Sequence, residues 1–103
     1  MTKKASRSFD KTSKELLENP KVAAMYLEEI LADGDMELFT AALKDVADAR
    51  VGSMTSLSKK THLNREQLYK TLSKKGNPRL ETLAKVLHAV GLRISVTPEA
   101  IGK

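Results

Sequence analysis

Arg65, Glu66, Tyr69 and Lys70 stand at positions i, i+1, i+4 and i+5 of one polar stretch, a spacing that puts them on one side of an α-helix. These are residue types that bond to base edges. Arg can bond guanine O6 and N7 together, a Glu carboxylate can accept from the cytosine amino group, and Tyr and Lys reach bases or phosphate. Gln67 is a further candidate, although its spacing from Asn64 gives it a competing role in a capping box. Residues suited to a phosphate backbone flank this group: Thr55 and Asn64 near helix N-termini, and Lys74, Lys75 and Arg79 in a basic turn. Each of these side chains also has a plainer interpretation as solvated helix surface.

The stretch from Ser53 to Leu80 must position them. Ser53 is a helix cap, followed by Met54 and Leu57 one turn apart. Thr61-His62-Leu63 breaks the run, and Asn64 starts a second helix with Leu68 and Leu72 on its inner face. Two helices of this length cannot bury each other fully, so they lean on neighbours and leave the second exposed at one edge. That is the layout of a helix-turn-helix (about 53–73), whose second helix enters the DNA major groove. Gly76 and Pro78 shape the loop that follows. Leu80, Leu83, Ala84, Leu87 and Val90 then form an amphipathic face expected to close the core, and Gly91 ends that helix.

Two helices come earlier in the chain. Asn19-Pro20 is a strong helix start, and Val22, Ala23, Tyr26, Leu27, Ile30 and Leu31 recur at helical spacing until Asp33-Gly34. Asp35 caps the next, with Met36, Phe39, Leu43, Val46 and Ala47 facing inward and Val51-Gly52 ending it. Residues 1–14 read as a flexible basic arm, and 15–103 as a single helical domain. The arm has three readings: it follows DNA phosphates, it folds on a partner with Phe9, Leu16 and Leu17 as anchors, or it has no role. Leu92 to Thr97 alternates apolar and polar, which is strand periodicity. A lone strand needs a partner for its backbone groups, so Arg93, Ile94, Ser95 and Val96 are expected to join a second copy or another protein.

Charge is strongly segregated. Residues 22–49 carry seven acids against one Lys, whereas residues 50–79 carry eight Lys/Arg against Glu66 alone. A basic block centred on the helix pair is the footprint expected of phosphate binding. The acidic helices would keep the rest of the body off the phosphates, or bind a basic partner. Cysteine is absent, which excludes disulfides and thiolate metal sites. The longest apolar run, Val22 to Leu27, is too short for a membrane span or signal core, so a soluble cytoplasmic protein is expected. His62 and His88 are the only histidines and stand at no ligand or triad spacing. No Gly-rich phosphate loop is present. Neither an enzyme nor a metal or cofactor site is therefore expected. RNA binding is a weaker alternative, because two Tyr and two Phe offer few stacking surfaces.

The segment Met54–Leu72, with Gly76-Asn77-Pro78-Arg79 and the helix after it, resembles the helix-turn-helix of lambda-repressor and Cro-type domains. A closer resemblance spans roughly Leu17 to Pro98 and is to the HigA-like addiction-module antidotes of prophages and toxin–antitoxin operons. It is carried by Tyr26-Leu27, Phe39-Thr40-Ala41-Ala42-Leu43, Asp45 to Ala49, Leu68 to Ser73 and Gly76 to Arg79. The chain departs from the repressor pattern in four places: His62 stands where Gly is usual, Ser58 for Ala, Thr71 for a larger apolar residue and Arg79 for a capping Ser. The resemblance implies an all-α, lambda-repressor-like helix-turn-helix bundle with an extra N-terminal helix and, from the alternation above, a short C-terminal β-strand. It also implies a homodimeric antitoxin that binds a double-stranded operator, neutralises a RelE- or HigB-like toxin and represses its own operon. The alternative is a stand-alone prophage transcriptional regulator with no toxin.

Overall fold

A computed structural model of the chain describes residues 11–73 and 77–99, the Lys11 side chain excepted. Among these residues are six helices and no strand: α1 (Lys11–Leu17), α2 (Pro20–Asp33), α3 (Met36–Arg50), α4 (Met54–Thr61), α5 (Arg65–Thr71) and α6 (Leu80–Ala89). Local chemistry sets most of the boundaries. Asn19 Oδ1 accepts from the N–H groups of Lys21 (2.9 Å) and Val22 (3.3 Å), and Pro20 occupies a first turn that needs no donor. Gly34, at φ 78°, closes α2 in the left-handed region. Asp35 Oδ1 then accepts from Leu38 N–H at 3.0 Å and starts α3.

Helix α3 runs through the centre. It packs on α1, α2 and α4, and α4 in turn packs on α5 and α6. One continuous core results, with Leu43, Val46, Leu57, Leu68 and Val86 wholly buried. Each buried leucine contributes about 1.5–3 kcal/mol of transfer free energy. Two polar contacts join distant elements within this packing. Arg50, in the last turn of α3, donates through Nε to the Val90 carbonyl at the end of α6. Its Nη1 donates to the Glu18 carbonyl in the α1–α2 turn. Helix α6 ends in a Schellman motif: Leu92 N–H reaches Leu87 O at 2.8 Å and Gly91 N–H reaches His88 O at 3.0 Å, with Gly91 at φ 88°.

The C-terminal strand expected over 92–97 is not formed. Leu92 closes α6, and Arg93 to Glu99 make no backbone hydrogen bond with another described residue. Alternation marks the two faces of a strand but supplies no second strand, and the described residues offer none. The helical part also begins earlier than expected. Residues 11–14, assigned to the arm, belong to α1, whose Leu17 is buried in the core; residues 1–10 lie outside the described residues. On α6 the buried face is rotated from the expected one. Val86, Leu87 and Val90 are buried, whereas Leu80 is 68% exposed and Ala84 is exposed. Leu31 and Met36, near the facing ends of α2 and α3, are likewise exposed rather than core.

Candidate nucleic-acid interface

The segment from Ser53 to Thr71 is held by side-chain-to-backbone bonds at each change of direction. Ser53 Oγ accepts from Ser56 N–H at 3.0 Å and caps α4. His62 takes the left-handed conformation, φ 63°, and its N–H closes α4 on the Ser58 carbonyl at 2.9 Å. This is the position where the repressor pattern usually has Gly, and His adopts the left-handed conformation despite its Cβ. Ser58 Oγ donates to Leu63 O across the turn. The buried Thr61 hydroxyl donates to Leu57 O (2.8 Å) and accepts from Leu63 N–H (3.2 Å). Asn64 Oδ1 then accepts from Gln67 N–H at 2.7 Å and starts α5. The turn is thus specified by hydroxyls and an amide, without glycine.

Helix α5 is seated against α4 by Leu68 and the following Leu72, both buried in the same core as Leu57 of α4. Leu72 supplies the apolar contact that half-buried Thr71 does not. The outward residues Arg65, Glu66, Gln67, Tyr69 and Lys70 are all exposed, Tyr69 at 49% despite its aromatic ring. Asn64, Glu66, Gln67 and Lys70 share the lining of a shallow depression of about 400 Å³. A second, of about 660 Å³, brings Lys70 together with Ser73, Asn77, Arg79 and Thr82, joining the end of α5 to the start of α6. Arg79 occupies the N-cap of α6 without making a side-chain cap bond, so its guanidinium is exposed and not committed to the helix. Thr55 is exposed in the first turn of α4. Lys74 and Lys75 lie outside the described residues.

The structure therefore gathers Asn64, Glu66, Lys70 and Arg79 into two adjoining depressions, with Arg65 and Tyr69 exposed on the same short helix. The segment Arg93–Val96 does not join them. Arg93, Ile94 and Ser95 instead line a separate groove with residues of α2, α3 and α6. Sequence reasoning missed Ser73, Asn77 and Thr82 as lining residues; short polar side chains flanking a helix start are a signal that could have found them. It also missed Thr40 as a support. Wholly buried on α3, Thr40 places Oγ1 2.9 Å from Glu37 O and 3.3 Å from Ser73 O, tying α3 to the end of the α5 segment.

Residues 5–98 match the model of a family described as probable addiction module antidote protein. The chain belongs to that family. A Haemophilus influenzae relative, named only as an uncharacterized protein, is 42% identical to this antidote-family chain over 72 residues, which cover 70% of the chain and 72% of the relative. No solved structure matches it. Membership assigns the chain to toxin–antitoxin systems as an antidote, with a toxin as partner in general terms. The six helices of its described residues are compatible with a bundle of helix-turn-helix type. Among the described residues of this antidote no helix is long and apolar enough to cross a membrane, and no three His, Cys, Asp or Glu side chains are grouped to hold a metal ion.

Proposed function

We propose that the protein is a sequence-specific DNA-binding antitoxin that neutralises a RelE- or HigB-like ribonuclease toxin and represses its own operon. The observation that carries the reading is the exposed face of α5. Arg65, Glu66, Tyr69 and Lys70 stand out from a helix whose inner residue Leu68, and the Leu72 that caps its end, are buried. Helix α5 would enter the major groove, with Arg65 on a guanine and Glu66 on a cytosine amino group. Lys70 and Tyr69 would follow one turn later. Thr55, Asn64, Lys74, Lys75 and Arg79 would hold the flanking phosphates and make affinity steeply salt-dependent. A homodimer would place two such helices on half-sites about one helical turn apart.

Fluorescence anisotropy of the full chain on its own upstream DNA and on a scrambled duplex, at two salt concentrations, tests this. Selective binding that persists at the higher salt is the expected result. Equal binding to both duplexes that disappears with salt would reduce the interface to a basic surface without an operator. Neutralisation is tested separately, by co-expressing the chain with a small basic toxin encoded beside its gene and following growth.

A further inference from the structure

A groove of about 650 Å³ is bounded by α2, Phe39 of α3, the end of α6 and the segment after it, with no residue of α4 or α5 in its lining. Its walls are apolar: Leu27, Phe39 and Leu87 are buried at the base, while Leu31 (49%) and Ile94 (42%) are exposed at the lip. One edge is the segment Arg93–Thr97, which follows α6 outside any helix and of which Arg93, Ile94 and Ser95 line the groove. Its backbone donors and acceptors are unpaired among the described residues, and Val96 is 93% exposed. Such an edge accepts an added strand, whose alternate side chains then point to one face.

Charge indicates what kind of strand. Inside the groove Glu28 and Arg93 both line the wall, with His88 beside them, but the surface around it is acidic: Glu29, Asp33, Asp35 and Glu37 are all exposed on α2 and around the start of α3. A second copy of the chain suits this surface poorly, because a two-fold contact sets the acidic rim against itself, and Arg93 offsets only part of that like charge. A basic occupant has complementary charge instead.

We infer that the groove and the 93–97 edge together dock an extended, basic segment of a different protein. The segment pairs with the 93–97 backbone, its alternate apolar side chains enter between Leu31 and Ile94, and its Lys or Arg residues face Glu28 and Glu29. The inference rests on the proposed toxin partnership only for the identity of that protein. It places the partner on a surface distinct from the α5 face.

The test uses the full chain and a labelled peptide of alternating Val and Lys, with a Val–Glu peptide as control, followed by anisotropy and by amide chemical shifts. The Val–Lys peptide is expected to bind, with shifts confined to α2, the end of α6 and residues 92–97, and the Val–Glu peptide to fail. Glu28→Lys with Glu29→Lys should weaken binding about tenfold. Val96→Pro, at an exposed position outside the helices, should weaken it by removing one N–H donor. Binding unchanged in both variants, shifts on other surfaces, or sedimentation showing the free chain already paired through this groove would overturn the inference. Toxin neutralisation is measured on the same preparations. A charge-reversed variant that loses the peptide yet still neutralises overturns this docking surface and leaves the antitoxin reading intact. Peptide binding by a chain that neutralises nothing supports the surface and removes that reading.

Discussion

Thr40 and Ser73, 33 residues apart in sequence, meet where α3 passes behind the end of α5, with Thr40 Oγ1 3.3 Å from the Ser73 carbonyl oxygen. The same hydroxyl lies 2.9 Å from Glu37 O on its own helix, so one proton is shared between a local acceptor and a distant one. Replacing Thr40 with Val keeps the volume and deletes the donor. The expected loss is about 1 kcal/mol, read as a fall in melting temperature of roughly 4–8 °C. An unchanged melt would mean that the Ser73 carbonyl is satisfied without Thr40.

Arg50 and Gly91 form a second dependent pair. A Cβ placed on Gly91 would stand 2.9 Å from Arg50 Nη2, and Gly91 has φ 88°. Gly91→Ala combines a left-handed backbone penalty of about 1–2 kcal/mol with displacement of a guanidinium that bonds two carbonyls. Arg50→Met alone should cost about 1–2 kcal/mol, discounted for its partial exposure. Urea unfolding of both single variants and the double variant should show less than additive losses, because each substitution disturbs the same bonds. Strict additivity would contradict the coupling.

His62 carries a backbone cost that glycine would relieve. It sits at φ 63°, exposed, at the turn between α4 and α5. His62→Gly removes the Cβ penalty but loosens the unfolded chain, leaving an expected net gain of about 0.5–1 kcal/mol. A differential scan should show a higher melting temperature. A lower one would mean that the imidazole makes a contact that outweighs the strain.

On DNA, Arg65 and Arg79 should behave differently. Arg65→Ala is expected to cost about 1–3 kcal/mol on the operator and relax preference at one base pair, with little effect on scrambled DNA. Arg79 makes no cap bond, so Arg79→Ala should leave α6 intact. It should weaken all sequences alike and reduce the salt slope by about one. Equal losses for Arg65→Ala on both duplexes would remove it from base reading.

Helix ends were legible because capping is local chemistry. Asn19, Asp35, Ser53 and Asn64 each accept from a backbone N–H two or three residues on, and Gly34 ends α2 where a helix stop was expected. His62 was legible only through the resemblance, as the residue standing where a repressor-type turn carries Gly. The face of α6 was not. Leu80, Leu83, Ala84, Leu87 and Val90 satisfy helical periodicity as well as Leu83, Val86, Leu87 and Val90 do, and the choice depends on how α4 packs there. Helix α1 has only seven residues, too few for its period to stand out, and it is seated by Leu17 against a core assembled from later segments. The alternation at 92–97 indicated which residues share a face but not whether a second strand lies beside them. For the candidate site, exposure of the α5 side chains followed from Leu68 and Leu72 facing inward. The Thr40 support did not, because a threonine within a helix carries no mark of a distant acceptor.

The guanidinium of Arg50 binds Glu18, near the beginning of the helical body, and Val90, near its end. Fraying at either end therefore releases a hydrogen bond that also steadies the other, and neither end can open at its own separate free energy. Amides around Glu18 and around Val90–Leu92 should exchange with solvent as one unit. Trimming α1 should consequently loosen the last turn of α6.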